Sequence, residues 1–155
     1  MFIDHNLLAI NTALRAHDRR FFQVRMLTVF VEASLNISSL KTTQKWLSLL
    51  RNKVDPATES ETIVLIDRYS TIFNRIQGLP AFKGRCLSRS LVFRLMLCRK
   101  GIFSDLRIGV CQHNGTLNAH AWLERDGKPI NDHPAAIAHY FILPESKLDA
   151  IKQFK

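Results

Sequence analysis

Three residues in the second half of the chain have the types that a thiol-nucleophile reaction needs: Cys86, His120 and Asp132. Cys86 follows Gly84-Arg85 at the start of a helical stretch. A cysteine there faces unpaired backbone N–H groups, which favour the thiolate, the reactive form. Arg85 and Arg89 add positive potential. His120 stands in Asn118-Ala119-His120-Ala121-Trp122, and its small neighbours leave room for another side chain to reach the ring. Asp132 follows Ile130-Asn131. If the Asp126-Gly127 turn joins the His120 strand to the next one, position 120 pairs near 133. Asp132 then lies across or diagonal to the imidazole and can hold its useful tautomer. Taken singly, each residue fits a structural role better: a buried free cysteine, a strand histidine, a turn aspartate. Together they fit one mechanism, Cys-His-Asp nucleophilic catalysis. Trp122 shares a strand face with His120, either shielding the site or serving as an ordinary core tryptophan.

The competing chemistries have thinner support. Cys98 lies on the apolar stripe of its helix and reads as core. Cys111 and His113 have Cys-x-His spacing and could recruit His120 to zinc. No Cys-x-x-Cys pair is present, however, and structural zinc sites usually rest on such pairs. Neither a metal nor a cofactor is expected. Glycine-rich phosphate loops and nucleotide fingerprints are absent. The basic residues lack the interleaved aromatics of a single-strand binder, and no recognition helix stands out.

The elements that must position these residues read as helices first and strands later. Residues 21–35 are apolar with few breaks and predict a mostly buried helix. A second helix is expected over 43–53, with Trp46, Leu47, Leu49 and Leu50 inward. Thr58 and Glu61 have capping-box spacing just after Pro56. The helix that follows carries Ile63, Ile66, Tyr69, Phe73 and Ile76 on one face, and Gly78 and Pro80 end it. Residues 86–100 predict the helix that bears the cysteine, with Leu87, Leu91, Leu95 and Cys98 as its buried stripe. Arg99 and Lys100 suit its C-terminal dipole, and Gly101 stops it. From Asp105 the apolar residues alternate: Leu106, Ile108, Val110, then Ala119, Ala121, Leu123. His113-Asn114-Gly115-Thr116 and Asp126-Gly127 are hairpin turn signals. Residues 129–132 predict a third strand, 140–143 a fourth, and 145–154 a closing helix. The fold class is α+β: a helical N-terminal half over 1–79, packed as one unit on a catalytic core over 80–155 that ends in an antiparallel sheet.

The chain has 155 residues, 46% of them hydrophobic and 23% charged. That is enough to bury a core, with the composition of a soluble globular protein. The formal charge of +9 favours acidic partners. It leaves open a non-enzymatic basic binding module in which Cys86 and His120 are merely structural. Three cysteines without framework spacing argue against a disulfide scaffold and for a reducing cytoplasm. No signal peptide is legible at the N-terminus, and the apolar run over 26–31 is too short to span a bilayer.

Three blocks of sequence also resemble a known family. Gly84-Arg85-Cys86-Leu87-Ser88-Arg89-Ser90-Leu91, continuing to Arg99-Lys100-Gly101-Ile102, resembles the nucleophile segment of the lasso-peptide maturation proteases, the microcin-type leader peptidases. Leu106-Arg107-Ile108-Gly109-Val110 resembles their following strand. His120-Ala121-Trp122-Leu123-Glu124 and Asp126-Gly127-Lys128-Pro129-Ile130-Asn131-Asp132 are similar to their histidine and aspartate block. The resemblance covers about residues 80 to 135. It implies a transglutaminase-like (papain-like) cysteine protease fold in a cytoplasmic bacterial enzyme. The activity implied is removal of the leader from a ribosomally made precursor peptide, with Cys86, His120 and Asp132 as the catalytic residues. A separate lasso cyclase would then close the ring. Because the first 80 residues read as helices, the leader-recognition domain of winged-helix type is expected on a separate partner protein. Neither nucleic acid nor membrane is an expected partner. Within the same fold, an acyl transferase that passes the acyl group to an amine is the alternative.

Overall fold

A computed structural model describes residues 5–51, 54–113 and 115–144, with side chains described from residue 19 onward except at residue 113. Four helices precede the sheet. They are α1 (His5–Ile37), α2 (Leu40–Leu49), α3 (Glu59–Gln77) and, after a 3-10 turn at Pro80–Phe82, α4 (Cys86–Cys98). The strands are β1 (Asp105–His113), β2 (Thr116–Arg125), β3 (Lys128–Pro129) and, after the four-residue α5 (Pro134–Ile137), β4 (Phe141–Ile142). The sheet is antiparallel in the order β3-β2-β1-β4.

α4 is the centre of the molecule. Every residue from Ser88 to Cys98 except Arg94 is buried. The expected stripe is therefore too narrow: α1 and α3 close over one side of the helix, and β1 and β2 over the other. Phe93 stacks on Phe73 at 4.7 Å and meets Tyr69 edge-on at 6.3 Å. Burying each such ring stabilises the fold by about 1.5–3 kcal/mol. The core draws on both sides of residue 80, from Val24 and Val31 through Ile72 and Ile76 to Ile108 and Leu123.

α3 starts as its sequence dictates. Thr58 Oγ1 accepts from the Glu61 N–H at 3.4 Å, while the Thr58 N–H donates to Glu61 Oε2 at 2.9 Å. Three inward assignments need correction. In α1 only Val24, Thr28, Val31 and Ser34 are buried along the described stretch, whereas Phe22, Met26, Val29 and Phe30 are exposed. The helix is one-faced rather than mostly buried, because only its inner side meets α3 and α4. α2 begins at Leu40, capped by Ser39, and turns Leu40, Thr43 and Leu47 inward; Trp46, Leu49 and Leu50 face out. On α3, Ile63 is exposed, and Thr62 and Ile72 take the inner positions. On α2 and α3 the misassigned Trp46 and Ile63 each lie one residue from a buried position. Apolar side chains on both faces of these helices blur the period.

The strand expectations shift similarly. The Asp126-Gly127 turn has positive φ at both residues (51° and 72°), the geometry of a two-residue hairpin loop. β3 pairs only at Lys128 and Pro129 rather than running over 129–132, and β4 spans two residues rather than four. The closing helix expected over 145–154 lies outside the described residues, as do residues 52 and 53 and the Asn114 position of the first hairpin turn. Gly101 has φ +73°, and a Cβ there would collide with the Asp55 carbonyl oxygen. Only glycine lets this end of α4 rest against the 55–57 backbone, where the Ala57 N–H donates to the Gly101 carbonyl at 3.2 Å.

Candidate active site

Cys86 is the first residue of α4. Arg85, at the cap position, makes no side-chain capping hydrogen bond, so the helix N-terminus keeps its backbone donors for other use. The turn is anchored to α1 by Ser88, whose buried hydroxyl donates to Glu32 Oε2 at 2.6 Å. This anchor links residues 56 positions apart and left no local signal in the sequence.

β2 carries His120 to the same place. Its partner on the β3 side stops early, and that ending is what forms the site. The Ile130 N–H still donates to the Leu123 carbonyl at 3.0 Å. Beyond that point the chain leaves the ladder, and side chains take over the backbone groups that a longer strand would have paired. Asn131 Oδ1 accepts from the Leu123 N–H at 2.7 Å. The Ser90 hydroxyl donates to the Ala121 carbonyl at 3.0 Å and lies 3.1 Å from Asn131 Nδ2, which donates to it. The Ala121 N–H donates to the Cys86 sulfur. Three side chains thus stand in for a strand, and they fix α4, β2 and the 130–132 segment to one another. No functional role for Asn131 or Ser90 was legible in the sequence. Both lie inside the quoted blocks, but nothing in their spacing announces the contact.

Asp132 is delivered by this arrangement. Its Oδ2 is 3.2 Å from His120 Nε2, and the two side chains are 16% and 21% exposed. The oxygen is buried, and the contact as it stands falls short of a formed hydrogen bond. The contact is an ion pair that a small ring rotation would align, as apo sites often require. Cys86 also hydrogen-bonds to the ring. The structure therefore brings Cys86, His120 and Asp132 together around one imidazole.

The electrostatics follow from these neighbours. His120 is pushed up from 6.5 to about 9, first by the Asp132 carboxylate and then by Cys86, against the opposing effect of burial. For Cys86, burial is the largest single influence and opposes the thiolate. It is outweighed by the His120 hydrogen bond and charge, the Ala121 N–H and the Arg89 guanidinium, so the thiol is held below its ordinary value. Arg89 is buried one turn along α4. Burial lowers its pKa, while the charges of Asp132 and Cys86 favour its cationic form. The arrangement thus favours a thiolate–imidazolium pair with a carboxylate behind it.

Aromatic rings close the site. Trp122 is buried at 1% exposure and stacks at 6.1 Å from His120, and Tyr140 lies 5.5 Å from the same ring. Gly109 makes room for them: a Cβ there would meet Tyr140 Cβ at 2.8 Å and Trp122 Cη2 at 2.9 Å. Cys98 is buried, as its stripe position implied. Cys111 is half-buried and hydrogen-bonded to Tyr140. Among the described residues no cluster of three or more His, Cys, Asp or Glu is arranged to hold a metal. No described helix is long and apolar enough to cross a membrane.

A helix-borne thiol packed on an antiparallel sheet defines a class, the thiol enzymes with a transglutaminase-like core. The profile of the Transglutaminase-like superfamily matches residues 27–144, more than half of the chain, and the protein belongs to that family. Its function is of the cysteine protease or acyltransferase kind. No curated protein and no solved structure matches the chain at a significant level.

Proposed function

We propose that the protein is a cysteine endopeptidase whose catalytic residues are Cys86, His120 and Asp132. The observation that carries this reading is the placement of the Cys86 thiol and the Asp132 carboxylate on the same His120 ring. The Cys86 thiolate attacks the scissile carbonyl carbon, and its oxyanion develops near the N–H groups that open α4. His120 gives its proton to the departing amine as the C–N bond breaks, leaving a thioester. It then takes a proton from water, whose oxygen adds to the thioester carbonyl. The C–S bond breaks, and the thiolate leaves. Asp132 orients the ring and supports its positive charge.

The substrate we assign is the leader region of a lasso-peptide precursor, on the resemblance of residues 80 to 135 to the leader peptidases. That reading gives the protein a cytoplasmic place in antibiotic-peptide biosynthesis. Its partners are then the precursor, a separate winged-helix leader-recognition protein and the lasso cyclase. Acyl transfer to an amine remains the second reading, because the family includes that chemistry. Mass spectrometry of a precursor peptide incubated with the protein and a leader-recognition partner separates the two. Two fragments whose masses sum to the precursor plus water mean proteolysis, whereas loss of ammonia with crosslinking means transfer. An intact precursor under conditions where Cys86 is freely alkylated would remove the peptidase assignment.

A further inference from the structure

The edge of β2 next to the site continues past the point where side chains cover it. Backbone groups alternate sides along a strand. The Leu123 and Ala121 groups face away from β1, toward Asn131, Ser90 and Cys86. Ala119 and Leu117 therefore present their N–H and C=O groups along the same line. The ladder to β3 reaches only Glu124 and Arg125. α4 begins at Cys86, opposite Ala121, and residues 116–119 are exposed. Among the described residues, then, an open strand edge leads directly into the thiol.

We infer that this edge, centred on Ala119, binds the substrate peptide as an added β-strand, pairing with its main chain on one side of the scissile bond. The inference rests on the peptidase reading and names the form in which that site takes its substrate. Open strand edges invite pairing with another extended chain. Here the edge starts at the residue whose N–H already touches the nucleophile. Ala119 lies two residues from Ala121, about 6.6 Å along the strand, so the paired residue sits about two positions from the reacting carbonyl. Ala119 carries only a methyl group, which leaves room for an incoming backbone. Recognition by main-chain hydrogen bonds is largely independent of side-chain sequence, so the partner protein would supply selectivity for the leader.

The test uses acetylated oligo-alanine chloromethyl ketones of one to four residues, with iodoacetamide as the small reference electrophile, and follows alkylation of Cys86 by intact mass. Iodoacetamide reports the thiolate alone. The expected result is a rise in second-order rate with peptide length, about three- to tenfold for each hydrogen bond gained. N-methylation of one alternate amide should remove a step of that size, and Ala119→Pro, tolerated on an edge, should flatten the length dependence. Rapid iodoacetamide alkylation with no effect of length or N-methylation overturns the edge proposal and leaves the nucleophile standing. Slow alkylation by every reagent overturns both readings. A concentration-dependent dimer that Ala119→Pro abolishes would assign the edge to a second copy of the chain and overturn the proposal.

Discussion

Removing the carboxylate behind the imidazole should move the proton on His120. In the folded chain the ring is raised from 6.5 to about 9, with Asp132 as the largest cause and Cys86 next. Raising a histidine that far corresponds to about 3 kcal/mol of preference for the imidazolium. Asp132→Asn keeps the side-chain shape and removes the charge. It should lower the His120 pKa by about one unit or more, the usual size for loss of a close opposite charge. In Cys86→Ala the thiolate contribution disappears and the Asp132 effect stands alone, so the ring should stay above 6.5. In the double variant it should fall to 6.5 or below, because burial then acts without a partner. The assay is a proton NMR titration of the histidine rings, with the His120 signal assigned by its loss in His120→Gln. The linkage has a definite sign. The folded state holds this proton more tightly than the unfolded state, so the stabilisation is full below about pH 6.5 and fades as pH rises through about 9. A wild-type His120 that titrates near 6.5, or one that Asp132→Asn leaves in place, would refute the electrostatic argument.

Three further substitutions probe the frame around that ring. Cys86→Ala should abolish peptide cleavage in the mass-spectrometric assay while shifting the denaturation midpoint only modestly, since the residue gives up two sulfur hydrogen bonds, to the His120 ring and the Ala121 N–H. Asn131→Ala leaves the Leu123 N–H without its 2.7 Å acceptor; it should cost about 1–3 kcal/mol in denaturant unfolding and lower the turnover number through misplacement of Asp132. Gly109→Ala drives a methyl group against Tyr140 and Trp122 and should destabilise by about 1–3 kcal/mol, read as a lower thermal midpoint.

The local signals in the sequence carried some elements further than others. The capping box at Thr58 and Glu61 and the Asp126-Gly127 turn depend on neighbours a few residues apart, and both form where their spacing requires. The alternation over 105–125 became two long strands, and the turn placed Asp132 beside His120 even though β3 ends before it. The inward faces of α1 and α2 were harder to read. Their apolar residues are numerous on both sides, and only packing against α4 selects Val24 and Leu47 over Met26 and Leu49. Asn131 and Ser90 were invisible for another reason. They are 41 residues apart and matter only because a strand ends early. A sequence can announce a strand, but it rarely announces which side chain completes one.

The all-round burial of α4 has a consequence for how the site responds to heat. The nucleophile rides on the helix most shielded from solvent, whose amides should be among the slowest in the molecule to exchange with deuterium. The carboxylate hangs from the stretch after β3, where residues 133–136 are exposed and the next strand is two residues long. Local opening there would separate Asp132 from His120 while the helical core stayed closed. Activity should therefore decline at temperatures where circular dichroism still reports an intact fold. Cys86 would remain in place but no longer be served by an oriented base.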